Sequence, residues 1–109
     1  MKQFMHPSID DITLSGVLGA LSDPIRLKIF VSLIDKKSCM SCTEASPLKN
    51  IAKSTLSHHF RILREAGLIR TTKLGVENRN IARIEEVNER FPGLLKHIVK
   101  LAKEHPARL

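Results

Sequence analysis

Residues 53–66, KSTLSHHFRILREA, carry two opposed surfaces at helical spacing. At about 100° per residue, Leu56, Phe60 and Leu63 fall within about 40° of one direction. Ser54, Ser57, His58 and Arg61 point the other way, with Lys53 and Arg64 flanking one side and Thr55 on the other. Gly67 follows as a C-cap signal, because glycine takes the left-handed conformation that closes a helix. Such a helix has to lie on the surface of its fold. One face joins the core, and the other offers small, polar and cationic side chains to solvent or to an anionic partner.

The flanking sequence supplies the rest of the fold. Leu14, Val17, Leu18 and Leu21 form a stripe at i, i+3, i+4, i+7, which predicts a helix over 12–21 capped by Asp10 or Asp11. Ser22-Asp23-Pro24 announces the next helix, with a capping Asp and Pro at the first helical position. Ile25, Leu27, Ile29, Phe30, Val31, Leu33 and Ile34 cover most of its circumference, so it is expected to be central and buried. Residues 35–41 are polar and read as a turn; a short helix over 42–45 is expected to end at Ser46-Pro47. The runs 68–73 (LIRTTK) and 80–83 (NIAR) predict strands. Gly75 lies between them, making residues 68–83 a hairpin that carries Arg70, Lys73 and Arg79. A short helix over 85–90 follows. The segment 92–104 then bears Leu94, Leu95, Ile98, Val99, Leu101 and Ala102, a stripe wider than a core of this size requires. A second subunit would bury the excess.

Charge narrows the range of partners. The chain carries +7 over 109 residues, enough for one domain spanning 1–109. Residues 1–52 hold six basic and five acidic side chains, whereas 53–109 hold twelve and six. Seven of the twelve lie within 53–83, against only Glu65 and Glu77. A positive field on one segment suits nucleic acid. Tyr and Trp are absent, which favours a duplex over a single strand stacked on aromatic rings. No apolar run approaches the roughly 18 residues of a membrane span, and the opening stretch does not read as a signal peptide. Two Cys do not make a secreted disulfide scaffold, so a cytoplasmic location is expected.

The order of elements, mainly α with a small β-hairpin, suits a winged helix-turn-helix. A helix with short polar side chains fits the major groove: Ser54, Thr55 and Ser57 allow close approach, and His58 and Arg61 reach base edges. Lys53 and Arg64 sit where phosphates would pass, and the hairpin bases can lie along the adjacent backbone. The run STLSHHFRILREAGLI, with LGALSDPIRLKIF upstream and the basic hairpin downstream, resembles the ArsR/SmtB family of bacterial winged-helix repressors. Asp23, Pro24, Arg26 and Ile29 match that family's signature, and the likeness runs from about residue 12 to 102. The resemblance implies a homodimer joined through its first and last helices (12–21 and 92–104). It further implies a recognition helix over 53–66, a wing over 68–83 and a twofold-symmetric operator. It places Lys53, Ser54, Thr55, Ser57, His58, His59 and Arg61 in the recognition helix. His59 lies nearer the apolar stripe, where its ring can either hydrogen-bond within the core or reach DNA. Ala52 stands where many members have a capping Ser, which leaves Ser54 as the alternative cap.

Cys39 and Cys42, spaced Cys-x-x-Cys, are candidate sensor thiols. They can bind a thiophilic ion such as zinc, arsenite or copper(I), form a reversible disulfide, or remain inert. The resemblance implies thiolate ligands in this region, usually as Cys-x-Cys with a further ligand. Tetrahedral closure here would need His6 or a residue from a second subunit. The family's other metal site, on the last helix, has no matching Asp beside His97 and His105. The Cys pair follows a helix rather than a buried strand, which argues against thioredoxin-like chemistry. No triad or phosphate-binding Gly loop is present, so an enzyme is not expected. The competing expectation is a basic RNA- or nucleoid-binding protein without operator specificity.

Overall fold

The computed structural model describes residues 4–36, 40–41 and 51–106. A 3-10 turn over Ile9–Asp11 leads into α1 (Leu14–Leu21) and α2 (Pro24–Lys36). The two-residue strand β1 (Met40–Ser41) precedes α3 (Lys53–Glu65), β2 (Ile69–Leu74) and β3 (Glu77–Ala82). Helices α4 (Ile84–Arg90) and α5 (Leu94–Glu104) complete the described chain. Cys39, Cys42 and the helix expected over 42–45 lie outside the described residues.

The caps explain where the helices start. Thr13, rather than Asp10 or Asp11, caps α1: its Oγ1 accepts the Gly16 amide at 3.0 Å. Asp11 is taken up in the preceding turn, where its carboxylate accepts from Ser8 Oγ at 2.9 Å. Ile12 therefore lies outside the helix, yet it is buried in the core. Asp23 caps α2 as expected, accepting the Ile25 and Arg26 amides at 2.8 and 3.1 Å.

The core joins Val17, Ala20 and Leu21 of α1 to Ile29, Phe30 and Leu33 of α2. Leu56, Phe60 and Leu63 of α3 pack onto it, with Leu68, Ile69, Val87 and Leu95 completing the cluster. The apolar stripes of α1 and α5 are only partly used. Leu14 and Leu18 of α1 are 46% and 47% exposed, and Leu101 of α5 is 52% exposed.

The sheet has strand order β1-β3-β2, all antiparallel. β1, within the stretch read as a turn, pairs Met40 with Asn80 and Ser41 with Arg79. Two residues are too few to show alternation, so this strand had no periodic signal. The second hairpin strand begins three residues earlier than expected and the first is shifted by one, so that Leu74 pairs with Glu77 around a turn of Gly75 and Val76. Among the described residues no helix is long and apolar enough to cross a membrane.

Candidate nucleic-acid interface

Helix α3 begins at Lys53 with Ala52 as its N-cap and no capping side chain. Ser54 is therefore inside the first turn, not the cap. The far end closes as a Schellman motif: the Leu68 amide donates to Leu63 O and the Gly67 amide to Arg64 O, both at 3.0 Å. Gly67 has φ +84°, and a Cβ there would lie 2.5 Å from Ile12 Cγ1. Ile12 is thus seated directly under the turn that ends α3. That contact, with Leu56, Phe60 and Leu63 in the core, fixes which face of the helix is outward.

The outward face matches the predicted one. Lys53, Ser54, Thr55, Ser57, His58 and Arg61 are all exposed. Arg61 Nη2 reaches His58 Nδ1 at 3.4 Å, so the two longer side chains lie side by side. Arg64, one turn further, is half-buried with its guanidinium 4.5 Å from the centre of the Phe4 ring.

His59 is different. It is only 6% exposed and its Nδ1 lies 3.3 Å from Arg26 Nη1. A guanidinium can only donate, so Nδ1 offers its lone pair and the ring is neutral with its proton on Nε2. Burial pushes the His59 pKa below the ordinary histidine range; Asp23 opposes this, while Arg26 and His58 add to it. The same Arg26 donates to Ala20 O at 2.7 Å, tying the end of α1, the start of α2 and α3 together. His59 is therefore an internal strut rather than a DNA-facing residue, because the helical turn carries position 59 to the core side.

Strand alternation divides the hairpin bases that a linear reading groups together. Thr71, Asn78 and Asn80 line an open groove of about 400 Å³ with Ser54, Ser57 and Arg61. Lys73, two residues from Thr71 and paired in register with Asn78, belongs to that face. Arg70 and Arg79 lie on the opposite face. Arg70 pairs with Glu86 at 3.3 Å, and Arg79 with Glu77 at 3.1 Å. Arg83, the last of the seven bases, is 5% exposed and clamped to Glu86 by two contacts of 2.8 Å. Under the groove, Thr71 Oγ1 donates to Asn80 Oδ1 at 2.8 Å, a buried cross-strand pair.

Phe4, Asn78 and Asn80 escaped the sequence reading as site residues. They come from segments remote from α3, and nothing in their local pattern marks them. His6, considered above as a ligand beside the Cys pair, has its Nε2 engaged by the Thr71 amide. Among the described residues no group of three or more His, Cys, Asp or Glu is placed to hold a metal ion.

A polar helix set against a basic antiparallel hairpin, on a scaffold of packed helices, defines a winged helix-turn-helix protein. A helix-turn-helix domain family matches residues 21–72. Over 64 residues the chain is 44% identical to YceK, an uncharacterised HTH-type transcriptional regulator of Bacillus subtilis. That match spans 59% of this chain and 64% of the relative, a little under two thirds of its length. An uncharacterised HTH-type regulator of Methanocaldococcus jannaschii, MJ1325, is 36% identical over 62 residues, 57% of this chain and 68% of the relative. This chain belongs to the helix-turn-helix family of transcriptional regulators. Its fold is shared with the transcriptional repressor BigR of Xylella fastidiosa, with a TM-score of 0.63 and 21% identity over 87% of this chain and 88% of that one. An ArsR-like transcriptional regulator of Rhodococcus has the same fold, with a TM-score of 0.57 and 24% identity over 88% and 94% of the two chains.

Proposed function

We propose that this protein is a dimeric, sequence-specific repressor that binds double-stranded operator DNA in the cytoplasm. The observation that carries this reading is the outward face of α3, where six polar side chains, from Lys53 to Arg61, stand exposed. In this reading Ser54, Thr55, Ser57, His58 and Arg61 read base edges, while Lys53 and Arg64 hold phosphates. Lys73 follows the backbone from the groove side of the wing. Arg70 and Arg79, ion-paired on the opposite face, contribute long-range attraction rather than contacts in the groove. Dimerisation through α1 and α5 would cover Leu14, Leu18 and Leu101 and place two recognition helices on a twofold operator.

The inducing signal is assigned to Cys39 and Cys42, as a bound soft ion or a reversible disulfide. These residues directly flank Met40 and Ser41, which pair with Asn80 and Arg79 of the wing. Chemistry at the thiols would therefore act on a strand bonded to the DNA-contacting hairpin.

Selection of bound duplexes from a random pool tests the whole reading. Reduced protein is expected to prefer one family of sequences by about 10³-fold or more over random DNA. Arg61→Ala should weaken the selected duplex and relax its base preference. An equal loss on selected and random duplexes would instead indicate binding by charge alone, as a nucleoid or RNA-binding protein does. Oxidised or metal-loaded protein should release the selected duplex, and Cys39→Ser should abolish that response.

A further inference from the structure

The segment preceding α1 reaches across three elements. Thr71 donates its backbone N–H to His6 Nε2 at 2.9 Å. An amide can only donate, so the imidazole accepts through Nε2, is neutral and carries its proton on Nδ1. β2 lies at an edge of the sheet, and His6 occupies one of the backbone donors that an edge strand leaves open. One residue on, Pro7 O accepts from Nη1 of the buried Arg83 at 2.9 Å. On the other side the Phe4 ring packs on the Arg64 guanidinium and lines the groove with Ser54, Ser57 and His58. Residues 4–7 thus hold α3 by Phe4, the wing by His6 and the start of α4 by Pro7.

We propose that residues 4–7 are a clip fixing the wing against the recognition helix, with His6 as the positioning residue that keeps the clip closed. This inference rests on the DNA-binding reading given above. A groove that must match the spacing of phosphates binds more tightly when its two walls are held in place beforehand. His6 touches no DNA in this scheme; it acts through the wing.

The groups facing His6 make the clip sensitive to acid. Burial lowers its pKa first. Arg70 of β2, Arg64 of α3 and Arg83 at the start of α4 lower it further, and only Glu86 of α4 opposes them. The neutral ring is therefore the form that fits, and its contribution is complete above the ordinary histidine pKa of 6.5. It fades as pH falls below that value through the lower pKa of the folded state. A second proton on the ring removes the acceptor and adds a cation beside three guanidinium groups.

Nitrogen-15 NMR of the full chain should show His6 in the Nδ1–H tautomer and the Thr71 amide protected from exchange. His6→Ala should lose that protection and bind a duplex selected from a random pool about tenfold less tightly, the scale of one lost hydrogen bond. His6→Gln offers an oxygen acceptor that does not titrate, and should recover most of the affinity. Between pH 7.5 and 5.5 the wild type should lose more affinity than His6→Gln, the two chains differing only at position 6. A Thr71 amide that exchanges equally fast in wild type and His6→Ala would overturn the clip. So would His6→Ala binding the duplex as tightly as wild type. Failure of the wild type to bind any duplex would instead defeat the DNA-binding reading, while exchange at Thr71 would still decide whether the clip exists.

Discussion

Arg83 shows how a residue can belong to one category by type and to another by position. Counted along the chain it is one of seven bases in the positive segment. In the fold it is a buried anchor with both contacts to Glu86 at 2.8 Å and a third to Pro7 O. Its hydrogen bonds pull the Glu86 pKa from 4.5 down to about 2; burial opposes the shift, and Arg70 adds to it. A carboxylate depressed in this way stabilises the fold fully above pH 4.5, and the contribution is lost as the pH falls through about 2. Glu86→Gln is accordingly expected to lower stability by about 2 kcal/mol at pH 7, less than for a fully buried pair because Glu86 is partly exposed. Urea unfolding at stepped pH checks this: the gap between variant and wild type should narrow steadily below pH 4.5. A gap of constant size down to pH 3 would contradict it. The net positive field is correspondingly smaller than the count over 53–83, since Glu86 lies just beyond that window and neutralises part of it.

Among the elements, α3 was the most legible. Its apolar stripe, its exposed face and its Gly67 terminator all appear within one continuous stretch, so the helical period alone orients them. What the stretch does not contain is the reason Gly67 is required twice over. Its φ of +84° disfavours any side chain, and the space a Cβ would need is filled by Ile12, 55 residues earlier. Gly67→Ala is expected to cost at least about 2 kcal/mol, combining left-handed strain with overpacking against Ile12. Thermal or urea unfolding measures it directly; a loss below about 1 kcal/mol would mean Ile12 moves aside freely. The hairpin was legible as a hairpin but not as a surface. Arg70, Lys73 and Arg79 look equivalent in sequence, yet the two-residue period and the Lys73–Asn78 register put only Lys73 on the groove face.

At the scale of the whole molecule, the unused apolar surface is the main remaining feature. Leu14 and Leu18 on α1 and Leu101 on α5 are each about half exposed, although their helices otherwise feed the same core. Burying such side chains between two subunits favours association, at roughly 25 cal/mol per Å² of apolar area removed from water. The double substitution Leu18→Lys with Leu101→Lys is expected to yield a folded monomer, since neither side chain is a core member. Sedimentation alongside circular dichroism tests this, and a wild type that is already monomeric at micromolar concentration would refute the dimer. With the operator selected as above, the monomer should bind at least about tenfold more weakly, because only one recognition helix engages at a time.

Local sequence was enough to specify the described helices, the hairpin, the polarity of α3 and, through their order, the winged helix-turn-helix fold. Each of these follows from short-range period, caps and turn residues that lie close together along the chain. Which charges and histidines are available to a partner depends instead on how remote parts of the chain pack together. His59 turns inward to Arg26, Arg83 is tied to Pro7 O 76 residues away, and His6 is brought to the Thr71 amide 65 residues away. The physical reason is common to all three. Burial and hydrogen bonding depend on neighbours supplied by distant segments, and no local period records who those neighbours are.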